Sequence, residues 1–388
     1  MRVLIAPVGE QPTPNLIPLF AAKPEERAEC VQFLVSDNDR IKKVADHLRE
    51  ALKQDPETAG VHVPEALSMS AWNLEDARSE FRQVVGKYQG DEVTVNLTGG
   101  TKIMSLAVYL EASSAGLPMT YVNTERGEML RFDGRGNPLQ PSRFQAKIPI
   151  ETELWAAGQH FKRNPKKPIQ TIHTVHPERA AFAKWLVAKY PTAYEQCLGK
   201  IIRQVKEEAN SQGVSEVDCQ IQFPPTKAGR ETIRQMANMG LVLWDETNNL
   251  LRVSDKDAWK FLNGGWVETY ALVHLSESGF FDKVLGNVEV EDFEGELDVV
   301  VSLNGRLGIV ECKTKGTHGE GATFIASKLR QHEAIFGGTY ARALLALASR
   351  EHFREIEHIA EQYGIGKVVY GENLRNLARE MVSILSPS

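Results

Sequence analysis

Cysteine is scarce in this sequence: Cys30, Cys197, Cys219 and Cys312 are the only four among 388 residues. None belongs to a CxxC pair, so no structural zinc site is expected, and nothing suggests a disulfide framework. That usage fits a reducing, cytoplasmic setting. Long apolar runs are missing too: no stretch approaches the ~18 residues that a membrane span needs, so no membrane partner is expected. The opening run Met1-Arg2-Val3-Leu4-Ile5-Ala6-Pro7 is too short for a signal peptide and reads as a first strand. Positive charge is not in excess. A net charge of −6 argues against gripping nucleic acid by a general basic surface, so any such contact has to be local. There is no internal repeat or low-complexity tract, and neither a Walker A loop nor a GxGxxG turn occurs.

What is present is an ordinary globular composition, 42% hydrophobic and 25% charged, in a chain long enough for two or three domains. Residues 1–150 alternate strand and helix patterns, as a doubly wound α/β domain does. Strands are expected at Val3–Ile5, Val31–Val35, Val93–Leu97 and Met119–Val122. A helix follows the second, with Ile41, Val44, Leu48 and Leu52 on one face and Asp37 or Asn38 as its cap. Gly, Pro and basic residues make connectors of 134–141 and 162–168. Residues 151–260 form a smaller module in which a helix, Thr226–Met239, closes at Gly240 and precedes a ribbon at Leu241–Trp244 and Leu250–Val253. This is the outline of a winged helix. With only three Arg or Lys in that helix, it reads as a packing or dimerisation module rather than a DNA reader. Residues 261–388 read helix, strand, hairpin strand, helix, strand, helix.

The third region carries the chemistry. Asn304-Gly305 stands between Leu297–Leu303 and Arg306–Lys313, and Asn-Gly between two β-rich runs is a strong hairpin signal. A two-residue loop pairs Leu303 with Arg306, and counting back sets Asp298 opposite Glu311. Lys313 shares their face, with Glu296 opposite it. Two facing carboxylates at the end of an apolar hairpin repel each other and resist desolvation; a hard divalent cation relieves both problems. Asp298 and Glu311 are therefore the expected ligands of Mg²⁺ or Mn²⁺, with the carbonyl of Cys312 as a further donor. Lys313 is expected to orient or deprotonate the attacking water, or to stabilise phosphate charge. The simpler alternative is a surface hairpin with one salt bridge.

The segment resembles the PD-(D/E)xK nuclease superfamily, with Asp298, Glu311 and Lys313 in the places of its Asp, Glu and Lys. The proline before the Asp is absent. By the same resemblance, the acid of the upstream helix falls on Glu268. A polar or basic residue of the following helix, facing nucleic acid, falls on Lys328, with Gln331 second.

A second site is expected in the first domain. Asn96-Leu97-Thr98-Gly99-Gly100-Thr101-Lys102 leaves a strand and opens a helix, where glycines admit an anion and a helix N-terminus attracts phosphate. In an open α/β sheet the ligand lies beyond the carboxyl ends of the strands. That adds the loop Pro7–Asn15, including Gly9 and Gln11, then Ser36-Asp37, and Asn123-Thr124-Glu125. The alternative is a plain tight turn. The run from Asn96 to Lys102 resembles the signature of CRISPR-associated Rossmann-fold (CARF) sensor domains. Followed by the nuclease hairpin, it makes the whole chain resemble the ancillary nucleases of type III CRISPR systems. That resemblance implies a cytoplasmic homodimer in antiviral defence that binds a cyclic oligoadenylate, most often cyclic tetraadenylate, across its two-fold axis. It further implies a metal-dependent endonuclease domain, switched on by that ligand, acting on DNA or RNA, with single strands and supercoiled plasmid as targets. The competing readings are a ligand-responsive nucleic-acid-binding regulator using the winged-helix-like module without catalysis, a constitutive nuclease, and a sensor that degrades its own ligand.

Overall fold

The computed structural model describes residues 1–386 except 163, 166, 292–294, 317 and 318, with the side chain of 339 also outside it; two of these residues fall in the connector at 162–168. The chain begins with a seven-stranded sheet ordered β3-β2-β1-β4-β5-β6-β7. Its parallel part is β1 (Arg2–Pro7), β2 (Cys30–Val35), β3 (Leu67–Ser68), β4 (Glu92–Asn96) and β5 (Met119–Asn123). β6 (Glu128–Phe132) and β7 (Ser142–Arg143) continue it in antiparallel sense. Strands β1 and β2 are apolar almost throughout, as burial on both faces demands. Helices α1 (Thr13–Phe20), α2 (Asp39–Gln54), α3 (Leu74–Lys87) and α4 (Lys102–Ser114) cover the sheet. Helix α2 starts at Asn38, whose side chain accepts from the Arg40 N–H, and buries Ile41, Ala45, Leu48 and Leu52. Strands β1 and β4 lie side by side where the strand order reverses, so the loops that follow them flank a crevice.

Helix α5 (Ile150–Ala156) then leads into α6 (Pro177–Ala188), α7 (Gly199–Gln212), β8 (Gln220–Gln222), α8 (Lys227–Asn238), β9 (Val242–Asp245), β10 (Leu250–Val253) and α9 (Lys256–Lys260). The three strands form a small sheet ordered β8-β10-β9, giving the winged-helix-like outline. Its apolar residues share one core with the next domain: Phe182, Leu186 and Val205 belong with Trp266, Leu272 and Val310.

The last part runs α10 (Trp266–Glu277), β11 (Lys283–Glu289), β12 (Glu296–Ser302), β13 (Leu307–Lys313), α11 (Gly319–Phe336), β14 (Ala341–Leu347), α12 (Phe353–Gln362), β15 (Lys367–Tyr370) and α13 (Leu377–Leu385). Its sheet is ordered β11-β12-β13-β14-β15, antiparallel to β13 and parallel beyond. Strands β11 and β15 are additions to the expected order. Gly286 and a left-handed Asn287 (φ 53°) break the alternation of the first, and the second is only four residues long. The hairpin is a two-residue turn: Leu303 and Arg306 exchange backbone bonds of 3.0 and 3.1 Å, and Asn304 and Gly305 have φ of 51° and 69°.

That turn is seated on the first domain. A Cβ added at Gly305 would stand 3.1 Å from Ile148 and 3.3 Å from Ile17. The Arg306 guanidinium donates to the carbonyls of Thr124 and Leu385. Tyr340 is buried in the first domain's core, and Gln11 lies against Gly338. Among the described residues no helix is long and apolar enough to cross a membrane.

Candidate functional site

The far end of the hairpin carries the carboxylates. The ladder between β12 and β13 runs from Ser302–Leu307 to Val299–Val310, the register counted from the turn. Beyond it the backbone bonds give way to a side chain: Asp298 Oδ2 accepts the Cys312 N–H at 2.6 Å. Lys313 Nζ donates to Glu311 Oε1 at 2.6 Å and lies 3.9 Å from Asp298 Oδ2. From α11, Lys328 Nζ reaches the same Glu311 carboxylate, at 3.1 and 3.4 Å. Four residues expected at an active site thus meet, two acids and two amines. Gln331 is exposed on the same helix, and Glu296, expected opposite Lys313, pairs instead with Lys167 at 2.7 Å.

Burial sets the electrostatics. The side chains of Asp298 and Glu311 are 13% and 2% exposed. Burial, then the Glu311 charge, pushes the Asp298 carboxyl up to about 7. Burial also works against the Glu311 charge, but Lys313 and Lys328 outweigh it and hold that carboxyl below its ordinary value. Lys313 is desolvated as well, and its two acidic neighbours raise its pKa in spite of that, so it stays an ammonium. Glu268 stands half-buried on α10, its carboxyl pushed up by burial and then by Glu296, with Lys313 and Lys260 opposing. Among the described residues no three His, Cys, Asp or Glu side chains gather as a metal cluster. The donors available to a hard cation are the Asp298–Glu311 pair and the Cys312 carbonyl, which now accepts from Lys313 Nζ at 3.1 Å. The Cys312 thiol belongs to the core. The chemistry of this set fits Mg²⁺ or Mn²⁺: two nearly buried carboxylates, one of them with its carboxyl pushed up by burial and by the other's charge.

In the first domain, the loop after β4 passes so close to β1 that a Cβ at Gly99 would fall 1.9 Å from the Pro7 carbonyl oxygen, and Gly100 has φ +79°. Thr101 caps α4 by accepting the Met104 N–H. A crevice of about 750 Å³ opens here, and Gly9, Ser36, Asp37, Gly100 and Thr101 line it. Asp37 is exposed, and its hydrogen bond with Lys42 holds its carboxyl below the usual range. Lys102 is exposed at the start of α4. Other expected contacts serve the framework. Asn15 and Asn96 are 0% exposed, and the Asn96 amide donates to Pro14 O and Asn15 Oδ1. The Thr98 hydroxyl donates to Asn96 and accepts the Val122 N–H. Pro7 and Gly99 are buried, and Gln11 turns toward Gly338. Sequence reasoning missed Trp72, which lines the crevice with an indole 88% exposed. The signal was an aromatic in the polar stretch Ser70-Ala71-Trp72-Asn73, outside any apolar pattern.

Comparison with known proteins places both ends of the chain. Residues 3–132 match the family model described as the Card1 CARF domain, and residues 255–382 match the one described as the Card1-like endonuclease domain. Protein VC1899 from Vibrio cholerae superposes with a TM-score of 0.77 at 18% identity, covering 100% of this chain and 99% of its own. Can2 from Sulfobacillus thermosulfidooxidans, solved in complex with cyclic tetra-adenylate, gives 0.73 at 16% identity, with 100% of both chains covered. A type III CRISPR defence DNA nuclease activated by cyclic oligoadenylate gives 0.53 at 19% identity, over 89% of this chain and 45% of its own. At these identities the likeness is one of fold. No curated protein sequence matches the chain.

Proposed function

The chain belongs, domain by domain, to the Card1 CARF and Card1-like endonuclease families, and from that premise we propose a nuclease of type III CRISPR defence that a cyclic oligoadenylate switches on. The observation that carries the reading is the meeting of Asp298, Glu311, Lys313 and Lys328 at the end of a hairpin whose turn rests on the sensor domain. These are the residue types that the PD-(D/E)xK resemblance places at its active centre, with Lys328 from the following helix.

Asp298, Glu311 and the Cys312 carbonyl would hold Mg²⁺ or Mn²⁺. When bound, such an ion supplies Lewis acidity and an acidified water for attack on phosphorus. Lys313 acts as a cation: its raised pKa keeps it an ammonium that donates to the attacking oxygen or to the phosphoryl oxygens as charge develops. Lys328 holds Glu311 ionised and offers a second positive charge to the phosphate. Glu268 borders the pair and shapes the field that Asp298 feels.

The ligand we infer is cyclic tetraadenylate, as in Can2, which this chain follows from end to end. The crevice offers an exposed Lys102 beside the N-terminus of α4 for phosphate, and the Trp72 indole for an adenine face; base–aromatic stacking contributes ~1–3 kcal/mol. A symmetric ring suits a two-fold dimer. Helix α4 supports one, because Leu106 is 45% exposed between the half-buried Ile103 and Leu110.

Cleavage of single- and double-stranded DNA and RNA, and of supercoiled plasmid, with and without Mn²⁺ and cyclic tetraadenylate, tests the reading. We expect cleavage that needs both. Glu311→Ala and Lys313→Ala should each lose at least about 100-fold. Lys102→Ala and Trp72→Ala should bind the ligand more weakly without unfolding. Cleavage by metal alone would make this a constitutive nuclease. A duplex footprint without cleavage would make it a regulator.

A further inference from the structure

The winged-helix-like module has a face that packing does not use. Helix α7 buries Ile201, Ile202, Val205 and Ala209, while Lys200, Arg203 and Lys206 are all exposed. At spacings of three residues these cations share one side of the helix. They do not face open solvent alone. They line a cleft of about 420 Å³ whose opposite wall is Asn263, Thr314 and Lys315 of the next domain.

The position of the cleft gives the charge row its meaning. Thr314 directly follows Lys313, and the Tyr194 hydroxyl, just before α7, donates to the Thr314 carbonyl at 3.1 Å. Gly264 closes on the same residue, its Cβ position 3.8 Å from Thr314 Cγ2, four residues ahead of Glu268. Through Thr314 the cleft reaches to the residue that follows Lys313 in the chain. Resting on the nuclease reading above, we infer that the Lys200–Arg203–Lys206 row of α7, with Lys315 opposite, is the track along which an unpaired nucleic acid strand enters the active centre.

Charge favours this occupant. The whole chain is negative, at −6, so four cations along one cleft stand against the general trend. The acids that face them are Glu195 and Glu351. Glu195 is engaged by the Tyr190 hydroxyl and the Arg350 N–H. Glu351 lies 3.8 Å from Arg203 and 3.7 Å from Lys315, long pairs between half-exposed groups that a phosphate displaces at little cost. Walls on both sides, α7 on one and Asn263, Thr314 and Lys315 on the other, suit a single backbone between them. Backbone contacts of this kind are blind to sequence, so the track sets grip and direction, and the carboxylate cluster does the cutting.

The test is binding of a fluorescein-labelled oligo-dT by the full-length protein in EDTA, followed by anisotropy over a KCl series. The triple variant K200A/R203A/K206A should bind more weakly. Its slope of log affinity against log salt should be shallower by about 2, since each cation contributes about 0.7 with a single strand. The control K53A/K87A, exposed lysines of the first domain, should keep the wild-type slope. If the triple variant melts early, Arg203→Gln alone should still lower the slope by about 0.7. An unchanged slope in folded variants overturns the track. Equal losses with a hairpin duplex overturn the unpaired-strand assignment. A wild type that binds with the expected slope yet cleaves nothing with metal and ligand overturns the nuclease reading and leaves the binding surface standing.

Discussion

At the scale of single residues, the site is organised by one unfavourable contact. Glu311 is buried and Asp298 nearly so, and only Glu311 accepts hydrogen bonds from the ammonium groups, Lys313 standing 3.9 Å from Asp298. Asp298 therefore carries the strain, with its carboxyl pushed up to about 7 by burial and by Glu311. The sign follows from linkage. A carboxyl raised in the folded state is tolerated while it is neutral, so its cost is absent below the ordinary value near ~3.9, grows with pH, and is full above about 7. A divalent cation removes that cost and competes with the proton for the same oxygens. Adding Mn²⁺ to metal-free protein should therefore raise the melting temperature more at about pH 8 than at about pH 6, with affinity falling up to about tenfold per pH unit below 7. Asp298→Asn should lose most of the rise and its pH dependence in differential scanning fluorimetry; equal rises at both pH values would refute it. The Asp298–Glu311 pairing was legible because Asn-Gly fixes a register and a register fixes faces. Lys328 needed the resemblance, because no local rule says which residue of a helix meets a strand. Asn15, Asn96 and Thr98 read as ligand contacts because polar residues at a strand end resemble a site. In the structure Asn96 and Thr98 bond to the neighbouring loops, while Asn15 accepts from Asn96 and its own buried amide nitrogen is left without a partner among the described residues. Trp72 was signalled only as an aromatic in a polar stretch, because exposure at a crevice built from four loops is a property of the folded chain.

At the scale of elements, the β12–β13 hairpin joins two tasks along its length. Its open end holds the carboxylates, and its turn presses on Ile17 and Ile148 of the first domain. Gly305 and Gly240 offer a matched comparison, since both have φ of 69°. A Cβ at Gly240 meets nothing within 4 Å, whereas one at Gly305 meets Ile148 at 3.1 Å and Ile17 at 3.3 Å. Alanine at either position carries the backbone strain of a left-handed residue, ~1–2 kcal/mol. Only Gly305→Ala adds overpacking, which costs ~1–3 kcal/mol in a filled core. Urea denaturation should place Gly305→Ala below Gly240→Ala in midpoint, and equal midpoints would mean that the turn does not bear on the first domain. The longer apolar strands and helices of the chain followed from periodicity alone. The strands that did not, such as β11 and β15, are edge strands, where one neighbour suffices and the apolar alternation is weak.

At the scale of the molecule, the ligand end of the sensor and the back of the nuclease domain are one contact. Thr124 follows β5, in a loop at the carboxyl end of the sheet. Its carbonyl accepts from Arg306 in the hairpin turn, and its side chain lies beside the Tyr340 hydroxyl. Gln11, in the loop after β1, lies against Gly338. The loop after β1, which lines the crevice, thus touches the segment just before β14, and the loop after β5, at the same end of the sheet, touches the hairpin turn; β14 pairs with the strand bearing Glu311. This is a short physical route for the proposed coupling, because a ligand that moves the loop after β5 must repack the hairpin turn, and one that moves the loop after β1 must repack the segment before β14. Coupling free energies of this kind run to ~1–3 kcal/mol, and they are reciprocal. Arg306→Ala and the gentler Tyr340→Phe should leave the affinity for cyclic tetraadenylate within about threefold, while reducing its stimulation of cleavage by about tenfold and severalfold respectively. Under reciprocity, adding an oligonucleotide should tighten ligand binding in the wild type and do so less in Arg306→Ala. Calorimetry of the ligand with and without oligonucleotide, beside cleavage rates with and without ligand, measures both sides of that linkage. Full stimulation in both variants would mean that the signal travels elsewhere, with the dimer face proposed for α4 as the next route to test.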